Sequence, residues 1–253
     1  MRSTSGLHSR LARRARPAAA FASALACAAL PALAHASTAA TLRPSFLPDR
    51  LGASTAFKLA FGFSGSEEGV PAPLSGMVVR LPAGLGIDLG GVAICPASSL
   101  RRRGAAGCPS GSLLGRGHAQ LEVHAGSLTL PEESNISVFR APSRAGRPTL
   151  EIFGHGETPL DESSTSTAVV QSDSGRYGSR LTVSVPPIPT LVFEPNASFS
   201  SLSVTIGGLG RRSKAAGMVL VPRHCPPGGF PFAASFTFAD GSTASAAATV
   251  PCP

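Results

Sequence analysis

Apolar side chains at every second position limit the fold of this chain more than any other feature of its sequence. In residues 56–64 (AFKLAFGFS) the odd positions are all Phe or Leu, and in residues 230–238 (FPFAASFTF) all four phenylalanines occupy even positions. Side chains of a β-strand alternate between the two faces of its sheet. The pattern therefore predicts strands that bury one face and expose the other.

The same pattern recurs in short stretches that are separated by turn residues. Gly (28) and Pro (23) are too frequent for long helices. Further strands are predicted at 76–82, 117–126, 136–141, 148–154, 179–185, 201–208, 217–222 and 242–250. Such strands are typical of an all-β fold, here an antiparallel β-sandwich, immunoglobulin-like or jelly-roll-like. We expect residues 37–253 to form it as one domain, with two small lobes as the alternative and 156–168 as a polar loop.

Residues 1–36 have the order of a secretory signal peptide. Five arginines precede an uncharged apolar run at 17–34, and Ala34-His35-Ala36 provides small residues at a cleavage site. An uncleaved membrane anchor and a lipid anchor at Cys27 are the alternatives. The protein is therefore expected to be secreted or associated with the cell envelope. Membrane contact would occur only through the leader before cleavage.

The charge that remains after cleavage is small. The full chain has 22 Lys and Arg against 14 Asp and Glu, and five of the basic residues but none of the acidic ones lie in residues 1–36. The rest of the chain therefore has a net charge of +3, which does not predict nucleic-acid binding. Trp is absent and Tyr177 is the sole tyrosine. An exposed aromatic platform that stacks on sugars or bases is not expected.

Four cysteines remain outside the leader: Cys95, Cys108, Cys225 and Cys252. An even number in an exported chain predicts disulfides, and four cysteines allow three pairings. Loop closure favours the near pairs, Cys95–Cys108 and Cys225–Cys252. A hairpin at Asp240-Gly241 would bring the second pair together. Zinc is disfavoured, because structural zinc sites use closely spaced Cys-x-x-Cys pairs.

The first cysteine pair encloses three consecutive arginines, Arg101, Arg102 and Arg103. The predicted disulfide would close a loop with these side chains at its tip. A short charge run of this kind is usually a solvated tip. Its functional interpretation is an anion-binding loop, and these three residues are the candidates for that role.

The best candidate metal ligands are Glu122, His124 and His155. Alternation places Glu122 and His124 on one strand face, and His155 would have to come from a neighbouring element. The alternative is that they are ordinary polar surface residues, with His155 in a tight turn between two glycines. No cofactor is expected.

Motifs for covalent or acid–base catalysis are missing from the sequence. It contains no Gly-x-Ser-x-Gly elbow, and its cysteines are expected to be oxidised. The adjacent carboxylates Glu132 and Glu133 are predicted to be solvated charges.

The segment around the first cysteine pair has a pattern that also occurs in other proteins. CPASSLRRRGAAGCPSGSLLGRG (95–117) resembles a segment of exported, disulfide-containing β-rich proteins of high-GC actinobacteria, a group without an assigned activity, and residues 225–252 resemble their ends. The resemblance implies secretion and a disulfide-stapled β fold. The residues that match are Cys95, Cys108, Pro109, Ser112, Gly115, Gly117, Cys225 and Cys252.

These observations favour an exported, non-enzymatic structural or adhesive β-domain of the cell envelope or extracellular space. A secreted metal-assisted hydrolase and a binding module for anionic envelope polymers are the alternatives. The expected partner is an anionic cell-envelope polymer or another surface protein, and not a nucleic acid.

Overall fold

The computed structural model describes residues 38–65, 69, 71–208 and 218–253, and all of them belong to one compact unit. The strands of the first half are β1 (Ala39–Leu47), β2 (Ser54–Ser64), β3 (Leu74–Pro82), β4 (Gly86–Ile87), β5 (Leu113–Ala125), β6 (Leu128–Arg144) and β7 (Arg147–Gly156). Those of the second half are β8 (Ser163–Ser172), β9 (Tyr177–Ser184), β10 (Ser198–Ile206), β11 (Val219–Leu220), β12 (Phe230–Phe238) and β13 (Thr243–Val250). A short helix, α1 (Ala97–Arg103), and two 3₁₀ turns, Ala105–Gly107 and Ser110–Ser112, precede β5.

Every strand pairing among the described residues is antiparallel, which confirms the predicted all-β antiparallel class. The strands form one continuous sheet in the order β13-β12-β3-β9-β8-β7-β6-β5-β10-β2-β11-β4, and β1 also pairs with β2. Strands β5 to β9 follow one another as hairpins. β1 also contacts β13, although β13 is at one end of the strand order and β1 pairs with β2 near the other end. The sheet is therefore strongly curved.

The inner face of the curved sheet is filled by the two phenylalanine series seen in the sequence. Phe57 of β2 stacks on Phe232 of β12 with ring centroids 5.5 Å apart. Phe236 contacts the edges of two rings of β2, Phe61 at 5.7 Å and Phe63 at 4.9 Å. All these rings are buried. The period of two therefore predicted both the strands and the faces that form the core.

The structure contains three strands that were not predicted: β8, β1 and the two-residue β4. The loop predicted at 156–168 is wrong from Ser163 onward, because this Ser/Thr-rich segment forms β8 and is paired on both sides by β7 and β9. Strand β1 was not predicted, although its apolar residues Leu42 and Phe46 are buried. Its Pro44 lies in an outer strand pair, where a missing N–H donor is tolerated. The immunoglobulin-like or jelly-roll-like assignment stays a prediction, and the predicted signal peptide at 1–36 lies outside the described residues.

Both disulfides join the pairs that loop closure favoured. Cys95 is bonded to Cys108 and Cys225 to Cys252, with Cα separations of 5.2 and 6.0 Å. The predicted hairpin at Asp240 connects β12 to β13, and the Ser242 N–H and hydroxyl both donate to Asp240 Oδ1. These two bonds lower the pKa of the Asp240 carboxyl. Disulfides of this kind indicate an oxidising compartment.

Candidate functional site

Helix α1 and the Cys95–Cys108 bridge form a small platform on the outer face of the sheet. Leu100 of the helix and Cys95 are almost fully buried against Phe139 of β6 and Phe153 of β7. These four residues make a second apolar cluster, separate from the main core. The bridge and this cluster together hold α1 against the strands. The backbone that carries the arginines at the C-terminal end of α1 is therefore fixed in place.

The segment that enters the platform is held by Arg140 of β6. Its guanidinium donates to the carbonyl oxygens of Leu89 and Val92, at 2.8 and 2.6 Å. The backbone N–H of Cys95 also donates to the Arg140 carbonyl oxygen at 2.8 Å. The start of the disulfide loop is therefore positioned by β6 beneath it.

A groove of about 530 Å³ lies between α1 and the segment of β8 that it faces. Arg101 and Arg102 line it together with Ser163 and Thr165, which lie opposite His155 and Phe153 on the outer face. Ser164 also borders the groove, but its hydroxyl lies on the inner face beside Gly154. Among the described residues, its lining includes no Asp or Glu. Arg103 is exposed and turns back to donate to the Gly107 carbonyl oxygen at 3.4 Å. The structure thus brings two of the three predicted anion-binding arginines into one polar groove, which we call the α1 groove.

A buried acid lies beneath this basic surface. Glu151 of β7 is only 2% exposed and accepts a hydrogen bond of 2.9 Å from the Thr167 hydroxyl. Arg144 approaches it to 3.7 Å. Burial raises the pKa of the Glu151 carboxyl, while Thr167 and the charges of Arg144 and Arg101 oppose that rise. The charges of Arg144 and Arg101 therefore both act on the Glu151 carboxylate, and these three groups together have a positive net charge.

The structure does not bring the three predicted metal ligands together. His155 of β7 lies opposite Asn135 of β6, which in turn lies opposite His118 of β5. Glu122 is four residues farther along β5, so about 13 Å away in the strand direction at ~3.3 Å per residue. Within the described part of the chain, no three His, Cys, Asp or Glu side chains are placed to hold a metal ion. The proposed ligand set of Glu122, His124 and His155 has no common centre.

His155 also differs from its predicted setting. The glycines beside it do not form a turn, since residues 153–156 all belong to β7. Its ring stacks on Phe153 with centroids 6.4 Å apart, and Nδ1 lies 3.0 Å from the Ser163 hydroxyl. His155 therefore lies on the outer face of the sheet, on the same side as the α1 platform.

The paired carboxylates of β6 have opposite environments, which corrects the prediction that both are solvated. Glu133 is exposed, whereas Glu132 is 5% exposed and lies opposite Leu121 on the inner face. Its Oε2 accepts a 3.0 Å hydrogen bond from the backbone N–H of Leu160. Its Oε1 is buried and has no hydrogen-bond partner among the described residues. Alternation along a strand separates adjacent residues in this way.

Glu132 lines a small pocket of about 40 Å³ at one end of the inner face. Its other lining residues are mostly apolar: Leu121, Val123, Ile136, Gly154, Gly156, Leu160, Ile188, Ala197 and Phe199, with Ser134, Glu162 and Ser164. A Cβ at Gly156 would collide with Glu132 Oε1, so a larger residue there would displace the carboxylate. We call this the Glu132 pocket. A pair of acidic residues followed by Ser at 134 within a strand was the only sign of it in the sequence.

No protein family matches the chain, and neither a curated protein nor a solved structure is significantly similar to it. Within the described residues, no helix has both the length and the apolar character needed to cross a membrane.

Proposed function

We propose that this protein is an exported, non-enzymatic adhesive β-domain that binds an anionic cell-envelope polymer along the α1 groove. The observation behind the proposal is the pairing of Arg101 and Arg102 with hydroxyl side chains in one groove whose described lining holds no acid. Guanidinium groups suit phosphate and carboxylate oxygens, and hydroxyl groups can hydrogen-bond to the same polymer.

The rigidity of the α1 platform supports this proposal. Binding is weakened by the entropy of ordering flexible side chains and loops. Here the loop is closed by Cys95–Cys108 and packed through Leu100, so its backbone is ordered before a ligand arrives. Glu151 neutralises part of the positive charge, but Arg144 already pairs with it. Glu151 offsets part of the charge of Arg101, whereas Arg102 is not among the groups that act on it, so Arg102 fully and Arg101 in part remain available to an anion.

Export is part of the same proposal. The two disulfides need an oxidising compartment, and the leader-like order of residues 1–36 offers the route. Mass spectrometry of the protein isolated from its native host tests this point. A mature N-terminus near Ser37 is the expected result, and intact residues 1–36 on the exported form would contradict it.

Binding is tested with fluorescent dextran sulfate as the anionic probe and neutral dextran as its uncharged counterpart. The variant R101S/R102S/R103S should bind dextran sulfate roughly tenfold more weakly, since each exposed ion pair adds only a modest energy. Binding of the wild-type protein should also weaken as salt rises from about 0.05 to 0.5 M, because mobile ions screen exposed charges.

The matched control is R43S/R50S/R223S, which removes three exposed arginines elsewhere and changes the net charge equally. If this variant loses as much affinity as the α1 variant, binding depends on net charge and not on the groove. Equal binding of neutral dextran would also contradict the proposal. A substrate panel of hydrolase and oxidase reactions completes the test, and turnover that is lost with one substitution would show an enzyme.

A further inference from the structure

The Glu132 pocket places a carboxylate in a position that is unusual for a protein core. Glu132 is 5% exposed, and one of its oxygens has no partner among the described residues. A buried, unpaired carboxylate is costly unless a cation or several donors accompany it. The described lining of the pocket includes no Lys, Arg or His that could provide such a cation.

The glycines of β7 give the pocket its space. Gly154 and Gly156 present no side chains to the inner face, and the remaining walls include Leu121, Ile136 and Phe199. A Cβ at Gly154 would lie 3.3 Å from both Ile136 Cδ1 and Ser164 Oγ, so it would occupy the pocket itself. Residue 162 is exposed, and its carboxylate marks the rim where the pocket reaches the surface.

From this geometry we infer that the Glu132 pocket binds a primary ammonium group on a short aliphatic chain. The ammonium donates to Glu132, and the chain contacts the apolar walls. The volume of about 40 Å³ holds roughly three water-sized groups. The bound end is therefore short, with any longer part of the ligand passing out beside Glu162.

The donors and walls favour this ligand over a metal ion. Calcium takes six to eight oxygen ligands and magnesium six, whereas Glu132, Ser134 and Ser164 are the polar side chains inside the rim. Apolar walls contribute no binding energy to a hydrated divalent ion, whereas burial of methylene groups against them is favourable. The last torsion of a glutamate side chain is soft, so a small rotation turns Oε1 toward a donor in the pocket.

The experiment follows the backbone amides of Gly154 and Gly156 by NMR while n-propylammonium is added to the oxidised protein. A ligand of about four heavy atoms should saturate with a Kd on the order of 1 mM. E132Q should weaken binding at least tenfold, because hydrogen bonds to charged groups are stronger than neutral ones. E133Q is the matched control: it removes the adjacent, exposed carboxylate, so binding should not change.

Three further arms define the ligand. n-Propanol should bind far more weakly than n-propylammonium, since it lacks the charge. The same amide shifts with calcium or magnesium, competing with n-propylammonium, would overturn the inference in favour of a metal site. Comparing n-propylammonium with an Nα-acetyl-lysine amide distinguishes a free amine from the lysine side chain of a polypeptide, since only a site open beside Glu162 accepts the latter.

G154A keeps the inference testable if E132Q does not fold. Its methyl group should fill part of the pocket without touching the carboxylate, so it should weaken n-propylammonium more than methylammonium. The inference is wrong if wild-type protein shows no saturable shift at about 20 mM n-propylammonium, twenty times the expected Kd. It is also wrong if E132Q and E133Q behave alike. R101S/R102S/R103S should leave this binding intact, which separates the pocket from the α1 groove.

Discussion

Replacing Phe236 with Ala tests the account of the core most directly. Phe236 is 1% exposed, and its ring meets Phe61 and Phe63 edge-on at centroid distances of 5.7 and 4.9 Å. Truncating a buried Phe costs about 3–5 kcal/mol, and this range already includes the roughly 0.5–1.5 kcal/mol that each aromatic pair contributes beyond area burial. With two pairs lost, F236A should lower the free energy of unfolding by about 4–5 kcal/mol. That is a large part of the roughly 5–15 kcal/mol of a typical domain.

Urea unfolding of the oxidised protein measures this change. The midpoint should fall with an unchanged m-value, and the melting temperature should fall by roughly 10–20 °C for a chain of this size. The control is F193A, because Phe193 is 103% exposed and contacts no core. It should shift the free energy of unfolding by less than about 0.5 kcal/mol. A loss below about 1 kcal/mol in F236A would refute the claim that these ring contacts join β2 to β12.

Three other changes test separate parts of the structure. Replacing Cys225 and Cys252 with Ser opens a bridge with a sequence separation of 27, and should cost about 3–4 kcal/mol by the loop-entropy estimate in urea unfolding; unchanged stability would show that the bridge does not secure the C-terminal strand. The free energy of unfolding of the wild-type protein should fall relative to that of E151Q as the pH rises above 4.5. The pKa of Glu151 is raised in the folded state, so folding favours the protonated carboxyl, and this contribution is lost as the carboxyl ionises, whereas Gln does not titrate. Parallel pH profiles for the two proteins would contradict this. G117A should disrupt the β5–β10 pairing, because its Cβ would collide with the Ser203 carbonyl oxygen; hydrogen exchange along β10 reports the loss, and wild-type protection there would contradict it.

The core was predictable because its signal is repeated and local. Two series of alternating phenylalanines fixed the buried faces of β2 and β12, and the short cysteine separations indicated the pairings. The order of the strands was not predictable, since β3 pairs with β9 and β10 with β5 across long separations. Nothing in a single stretch of sequence encodes such a partner. The exceptions are Gly115 and Gly117, whose missing side chains allow the close approach of β10.

The candidate sites were predicted unevenly for the same reason. Arg101–Arg103 form one contiguous run, so their exposure could be inferred from the sequence. The α1 groove needs β8 as its other wall, and that Ser/Thr-rich strand was taken for a loop. Glu132 was misjudged because charged residues next to one another were expected to share an environment. In a strand they do the opposite, and this rule would have identified Glu132 once β6 was extended back to Leu128.

Strand β7 connects the two candidate sites through its two faces. Phe153 packs under α1 on the outer face, and the next residue, Gly154, opens the Glu132 pocket on the inner face. A one-residue slip in the pairing of β7 would exchange these faces and abolish both sites together. A substitution that shifts the pairing of β7 therefore cannot assign a function to one site alone. The arginines of α1 and Glu132 of β6 can, because each belongs to one face and lies outside the shared strand.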